Sequence, residues 1–261
     1  MAGRILTHVE GNLAWIVIDH PERRNAVSAE MWGALADAAE QLDANPAVRV
    51  IVLRGAGELA FVSGADISEF ESRRTGGPAA EVYEQGTQRA FGTLGAVNKP
   101  VIAMIHGFCV GGGMATALAA DLRYCADDAV FAIPAARLGL GYHAGGIDAL
   151  TALVGPATAK EFFFTARRYR AEDAARLGLV NQVFPKAELE ARVREIAGQI
   201  AANAPLTIRS VKRISRELAR EPGQQDRDAV RDSIQRCFDS DDYKEGVRAF
   251  LEKREPRFQG R

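Results

Sequence analysis

The stretch that most constrains what this chain can fold into is His106-Gly107-Phe108-Cys109-Val110-Gly111-Gly112-Gly113-Met114-Ala115-Thr116-Ala117-Leu118-Ala119-Ala120-Asp121. It follows the apolar run Val101-Ile102-Ala103-Met104-Ile105, which reads as a buried strand, and continues into an alanine-rich segment of high helix propensity. The order strand, glycines, helix points to an α/β fold. Glycines at such a junction let another molecule approach the backbone, and the first helical turn leaves N–H groups available to a negative oxygen. The same residues also suit a tight turn with close helix packing, so the motif by itself leaves both uses open.

Two other segments share this character. In Phe61-Val62-Ser63-Gly64-Ala65-Asp66-Ile67-Ser68-Glu69-Phe70 a glycine precedes a possible helix start, and glycines recur in Leu138-Gly139-Leu140-Gly141-Tyr142-His143-Ala144-Gly145-Gly146. Around these junctions the pattern is β-β-α-β. Ile5 to Val9 and Leu13 to Ile18 flank the hairpin turn Glu10-Gly11-Asn12. Ser28 is placed to cap a helix carrying Met31, Leu35 and Leu42, and Val50-Ile51-Val52-Leu53 reads as a central strand. Leu122 to Cys125, Val130 to Ile133 and Val180 to Phe184 are further short strands. The polar stretch Ser72 to Pro78 reads as a loop, either a flap over a site or plain surface. From Ile147 onward helices dominate; Leu189, Val193, Ile196 and Ile200, then Ile208, Val211 and Leu218, have helical spacing, with Pro205 between them. Residues 1–196 are expected to form the core and 197–261 a C-terminal helical region.

At 47% hydrophobic composition, 261 residues suffice for a substantial core. Thirty-three basic and 34 acidic residues leave a net charge of -1, so no global field favours nucleic acid or an anionic membrane. Cys109, Cys125 and Cys237 lack metal-ligand spacing and suggest buried free thiols in the cytoplasm. No metal site is expected. The N-terminus shows no apolar signal region, and no apolar run has the length of a membrane span.

Taken together, Phe61 to Ile67, Lys99-Pro100-Val101-Ile102-Ala103 followed by Gly107 and Gly111-Gly112-Gly113, Leu177-Gly178-Leu179-Val180, and the ending Phe250 to Phe258 resemble the enoyl-CoA hydratase/isomerase, or crotonase, family. The resemblance implies a spiral of ββα units followed by helices used for trimerisation, in homotrimers or hexamers. It implies an acyl-CoA substrate, coenzyme A being part of that substrate, with no separate cofactor. It places an oxyanion hole for the thioester carbonyl at the N–H groups of Ala65 and Gly112, with Gly111 alongside. Ala65, Asp66 and Ile67 would line the path of CoA, and Arg23 or Arg24, with Lys253 or Arg254 of the partner subunit, would meet its phosphates.

The chain departs from the family where hydratases carry two glutamates, for it has Ala115 and Ala135 there. Neither side chain moves a proton, and each general acid or base contributes about 10²–10⁴ in rate, so efficient two-glutamate hydration is not expected. Candidates to replace them are Tyr142, His143 and Asp148. The segment Leu138 to Tyr142, with Phe238 to Gly246, is similar to the methylmalonyl-CoA decarboxylase branch, where a tyrosine orients the substrate carboxylate. That branch's histidine and glutamate would fall on Ala65 and Ala115. His143, of ordinary pKa about 6.5, suits acid or base work. Asp148 also suits the first turn of a helix, and Asp66 and Asp121 read as caps of free N–H groups. Three functions are consistent with the residues: a lyase or isomerase working through the oxyanion hole, a hydratase with rearranged acid and base, and a non-catalytic acyl-CoA-binding protein.

Overall fold

The computed structural model describes residues 2–69 and 77–261. Strands β1 (Arg4–Glu10) and β2 (Leu13–Asp19) form the expected antiparallel hairpin, with Glu10 opposite Leu13. The Ser28 hydroxyl accepts the Met31 N–H at 3.3 Å and starts helix α1 (Ala29–Ala44), which buries Met31, Leu35 and Leu42.

From there the chain repeats a strand, strand, helix unit. The first is β3 (Val50–Gly55), β4 (Ala60–Val62) and α2 (Gly77–Ala96). The second is β5 (Val101–Ile105), β6 (Phe108–Val110) and α3 (Gly112–Ala119). The third is β7 (Leu122–Ala126), β8 (Val130–Ala132) and α4 (Ala144–Val154). Helix α5 (Pro156–Thr165), strand β9 (Tyr169–Arg170), helix α6 (Ala171–Arg176), strand β10 (Gln182–Phe184) and helix α7 (Leu189–Ala202) follow. The leading strand of each unit joins a six-stranded sheet ordered β1-β2-β3-β5-β7-β10, and the second joins a four-stranded sheet ordered β4-β6-β8-β9. The pairs β2–β3, β3–β5 and β5–β7 are parallel.

This arrangement explains the continuous apolar runs Val50 to Leu53 in β3 and Val101 to Ile105 in β5. A strand covered on both faces has no polar side to present. Ile51 and Leu53 of β3 join the main core, while Val50 and Val52 join a second core beneath Leu189, Val193 and Ala197 of α7. Helix α7 runs through residue 196, so the last element packed on the large sheet ends at Ala202. Pro205 then opens α8 (Pro205–Leu218), followed by α9 (Arg227–Asp239) and α10 (Asp241–Leu251). These helices leave Phe238, Val247, Phe250 and Leu251 exposed, Phe250 at 83%.

Some local expectations change. The turn after Gly64 is the short 3-10 segment Ile67–Glu69. The polar stretch beginning at Ser72 lies outside the described residues except for Gly77 and Pro78, which open α2. Asp121 takes up the N–H of a strand rather than of a helix: its Oδ2 accepts the Val101 N–H at 2.7 Å and pairs with Lys212 Nζ at 2.7 Å, tying the start of β5 to α8. Cys109 and Cys125 are buried thiols and Cys237 is half-buried. Among the described residues no helix is long and apolar enough to cross a membrane.

Candidate active site

The first two glycine junctions meet at one place. Ala65 pairs with Val27 as an isolated parallel bridge: Val27 N–H donates to Gly64 O and Asp66 N–H to Val27 O, both at 2.9 Å. Successive peptides in extended chain point to opposite sides, so the Ala65 N–H faces away from Val27. Gly111, at φ +54°, turns the chain from β6 into α3, a conformation that a side chain would strain. Gly112 is the first residue of α3, where an N–H has no partner one turn back. A Cβ on Gly112 would stand 3.5 Å from the Ala65 nitrogen, and one on Gly113 would lie 2.2 Å from Val62 O. The chain at Val62 and Ala65 and the start of α3 therefore touch backbone to backbone, which brings the Ala65 and Gly112 N–H groups close to one another. Neither donates to an acceptor among the described residues.

Both residues line a cavity of about 120 Å³, together with Gly64, Gly111, Ala115 and Ala135. Much of its wall is aromatic. Trp32 Nε1 donates to the Tyr83 hydroxyl at 3.1 Å and meets Phe91 edge-on at 5.2 Å. Phe91, His143 and Tyr142 stack in series at 5.2 and 4.8 Å, and Phe163 closes the row against Tyr142 at 5.0 Å. Two fixed N–H donors in so apolar a space are suited to bind developing negative charge on oxygen, because few waters compete and no dipole must reorient.

The third junction contributes Tyr142 and His143 to this cavity. The Tyr142 hydroxyl donates to Gly111 O at 3.2 Å, and burial pushes its pKa up, so the phenol keeps its proton. His143 caps α4: its Nδ1 accepts the Gly146 N–H at 3.0 Å. Nδ1 is therefore the lone-pair nitrogen, and the neutral ring carries its proton on Nε2, which is buried without a partner among the described residues. Burial lowers the pKa of His143, an effect the Glu84 charge offsets in part. The ring accepts a second proton only by giving up its cap.

Glu84, on α2, is the one carboxylate among the described residues lining this cavity. Sequence reading did not select it. The available signal was the buried helical series Tyr83, Thr87, Ala90 and Leu94, with Glu84 and Phe91 on its flank. Asp148 lies elsewhere: exposed on α4, it borders an open groove of about 1310 Å³ between α2, α4 and α8. Phe91, Ala115 and His143 line both spaces and so form the partition between them.

The basic candidates lie outside the cavity lining. Arg23 Nη1 pairs with Asp66 Oδ1 at 2.9 Å, and Arg24 lies over the Phe108 ring at 5.0 Å. Asp66 Oδ1 also accepts the Ser68 N–H and hydroxyl at 3.0 and 2.7 Å, the capping role expected of it. Burial raises the Asp66 pKa, but the bonds from Ser68 and the charge of Arg23 outweigh it and hold the carboxyl below its usual range. Ile67 borders the cavity mouth and is 64% exposed. Lys253 lies beyond α10, and its neighbour Arg254 is engaged by Glu245 and Glu252, both at 2.6 Å.

A spiral of ββα units with a small cavity at its glycine junctions defines a protein of the crotonase superfamily. The chain belongs to the enoyl-CoA hydratase/isomerase family, whose sequence model matches residues 8–261, and is accordingly an acyl-CoA enzyme of that family. It is 36% identical to a crotonyl-CoA hydratase of Syntrophomonas wolfei over 97% of each chain, and 37% identical to a carnitinyl-CoA dehydratase of Proteus mirabilis over 96% of each. The crystal structure of an enoyl-CoA hydratase/carnithine racemase from Magnetospirillum magneticum superposes with a TM-score of 0.94 at 35% identity, covering 98% of this chain and 96% of that one.

Proposed function

We propose that this protein stabilises the enolate of an acyl-CoA thioester, with the Ala65 and Gly112 N–H groups as its oxyanion hole, and that it works as an isomerase or lyase. The observation that carries the proposal is a cavity lined by Ala65 and Gly112, whose backbones lie close together, and by a single carboxylate among its described lining residues. Adding water across a double bond with paired glutamates needs one group to take a proton and another to give one, and Ala115 and Ala135 stand where this chain would hold that pair. One carboxylate suffices to remove a proton from the α carbon and return it elsewhere. Glu84 is assigned that part, with His143 as a neutral donor through Nε2.

The likeness to the decarboxylase branch rests on the Leu138 to Tyr142 and Phe238 to Gly246 segments, but the Tyr142 hydroxyl is engaged by Gly111 O. Asp66, Ile67 and the basic residues near the mouth are assigned to CoA. The exposed apolar side chains of α9 and α10 support assembly of copies through the C-terminal region.

The test uses two substrates. Butyryl-CoA in heavy water reports enolate formation as exchange of its α protons, and crotonyl-CoA reports hydration. Exchange is expected at enzymatic rate, with hydration near background. Rapid hydration of crotonyl-CoA would instead support the reading favoured by the hydratase relatives, in which Glu84 or His143 positions water. Tight binding of both with neither reaction would leave an acyl-CoA-binding protein.

A further inference from the structure

We infer that Tyr142 is a positioning residue that fixes and polarises the Gly112 donor through the Gly111 carbonyl; this rests on the oxyanion-hole reading above. The Gly111 C=O and the Gly112 N–H belong to one planar peptide and point in opposite directions. Whatever holds the oxygen therefore aims the hydrogen. That peptide needs holding, because it is flanked by two glycines and Gly111 sits at φ +54° and ψ -111°, where no side chain limits rotation.

Two groups hold the oxygen. One is the Ala115 N–H, at 3.2 Å, from the first turn of α3 itself. The other is the Tyr142 hydroxyl, also at 3.2 Å, which arrives from the third glycine junction, 31 residues along the chain. A donor on the carbonyl oxygen draws electron density through the amide and makes the N–H at its other end a stronger donor, the cooperative effect of linked hydrogen bonds. The tyrosine is itself immobilised, stacked on His143 at 4.8 Å and braced edge-on by Phe163 at 5.0 Å. Its buried phenol remains protonated, so the donation persists across the working pH range.

The geometry gives the three junctions one function. The first supplies the Ala65 donor, the second supplies the Gly112 donor, and the third supplies the hydroxyl that sets the second. Tyr142 has one O–H hydrogen, and it is committed to Gly111. It therefore acts on substrate through the peptide.

The test is isotope-edited infrared spectroscopy of butyryl-CoA labelled with ¹³C at the thioester carbonyl. Bound to the wild-type protein, the carbonyl stretch is expected at lower frequency than in free butyryl-CoA, because the hole polarises it. In Tyr142→Phe, which keeps the stacked ring, the shift is expected to be clearly smaller. The α-proton exchange rate is expected to fall about fivefold, the effect of one net hydrogen bond, with affinity for butyryl-CoA unchanged. Incorporating 3-fluorotyrosine at 142 gives a more acidic phenol without loss of shape, and the shift should exceed that of the wild type. A wild-type shift with no change in either variant overturns the role of Tyr142 and leaves the hole intact. No shift in the wild type removes the hole, and this inference with it.

Discussion

Replacing Gly112 by proline removes one N–H from the candidate hole with little cost to the helix. Gly112 opens α3, and proline is well accommodated at a first helical position, where the lost N–H had no intrahelical partner. Gly112 is not among the residues of positive φ, and Gly111 before it has no Cβ to clash with the proline ring. The steric cost is a contact: a Cβ at 112 would meet the Trp32 ring at 3.1 Å, so the indole must retreat by a few tenths of an ångström. Gly112→Ala carries the same contact and keeps the N–H, which makes it the control.

The difference between the two variants reports loss of the donor together with the ring carbon that replaces its hydrogen. One oxyanion-hole donor is worth about 10²–10³ in rate, or about 2.7–4 kcal/mol. The proline ring carbon also intrudes where the oxygen would sit, so this range is a lower bound. The assay is α-proton exchange of butyryl-CoA in heavy water, followed by mass spectrometry, with thermal melting to verify folding. Equal losses in the alanine and proline variants would assign the effect to displacement of Trp32 and refute the donor argument. Full activity in Gly112→Pro would do so more directly.

Other outcomes follow from the same geometry. Glu84→Gln should lower α-proton exchange by about 10²–10⁴ while leaving butyryl-CoA binding in place, as measured by exchange rate and calorimetry. Gly113→Ala drives a Cβ to 2.2 Å from Val62 O, a rigid backbone atom, so it should cost about 1–3 kcal/mol. At about 2–4 °C per kcal/mol for a chain approaching this size, the melting temperature should fall by roughly 2–12 °C. Burial lowers the pKa of both His106 and His143, so between their folded values and the unfolded value of about 6.5 the unfolded chain binds more protons. Their contribution to stability is therefore complete above about pH 6.5 and declines as pH falls through that value. Thermal melts from about pH 8 to about pH 5.5 should show the decline, and His106→Asn combined with His143→Asn should flatten it.

Much of the frame was legible because it depends on local rules. The hairpin at Glu10-Gly11-Asn12, the Ser28 cap and the start of α8 at Pro205 each follow from turn or capping chemistry that neighbouring residues specify. The side chains lining the cavity were less accessible to such reasoning. Glu84 lies among Glu81, Gln85 and Gln88 on a helix with polar residues on much of its surface, and only the packing of α2 against α1 and α3 decides which one faces the cavity. Asp148 is a second candidate in sequence after Tyr142 and His143, and the turn of α4 puts it on the groove side of the partition.

By itself the sequence determined where backbone could come close and which positions hold alanine. Glycines at 64, 111, 112 and 113 and alanines at 115 and 135 are identities, and what a residue lacks needs no coordinates to know. Only the tertiary structure decided which groups meet across the chain. Val62 against Gly113 and Tyr142 against Gly111 are contacts between distant segments, and Glu84 and His143, also far apart in the chain, line one cavity. Their geometry is set by two sheets wound in parallel and by the helix faces packed on them, which no local propensity encodes.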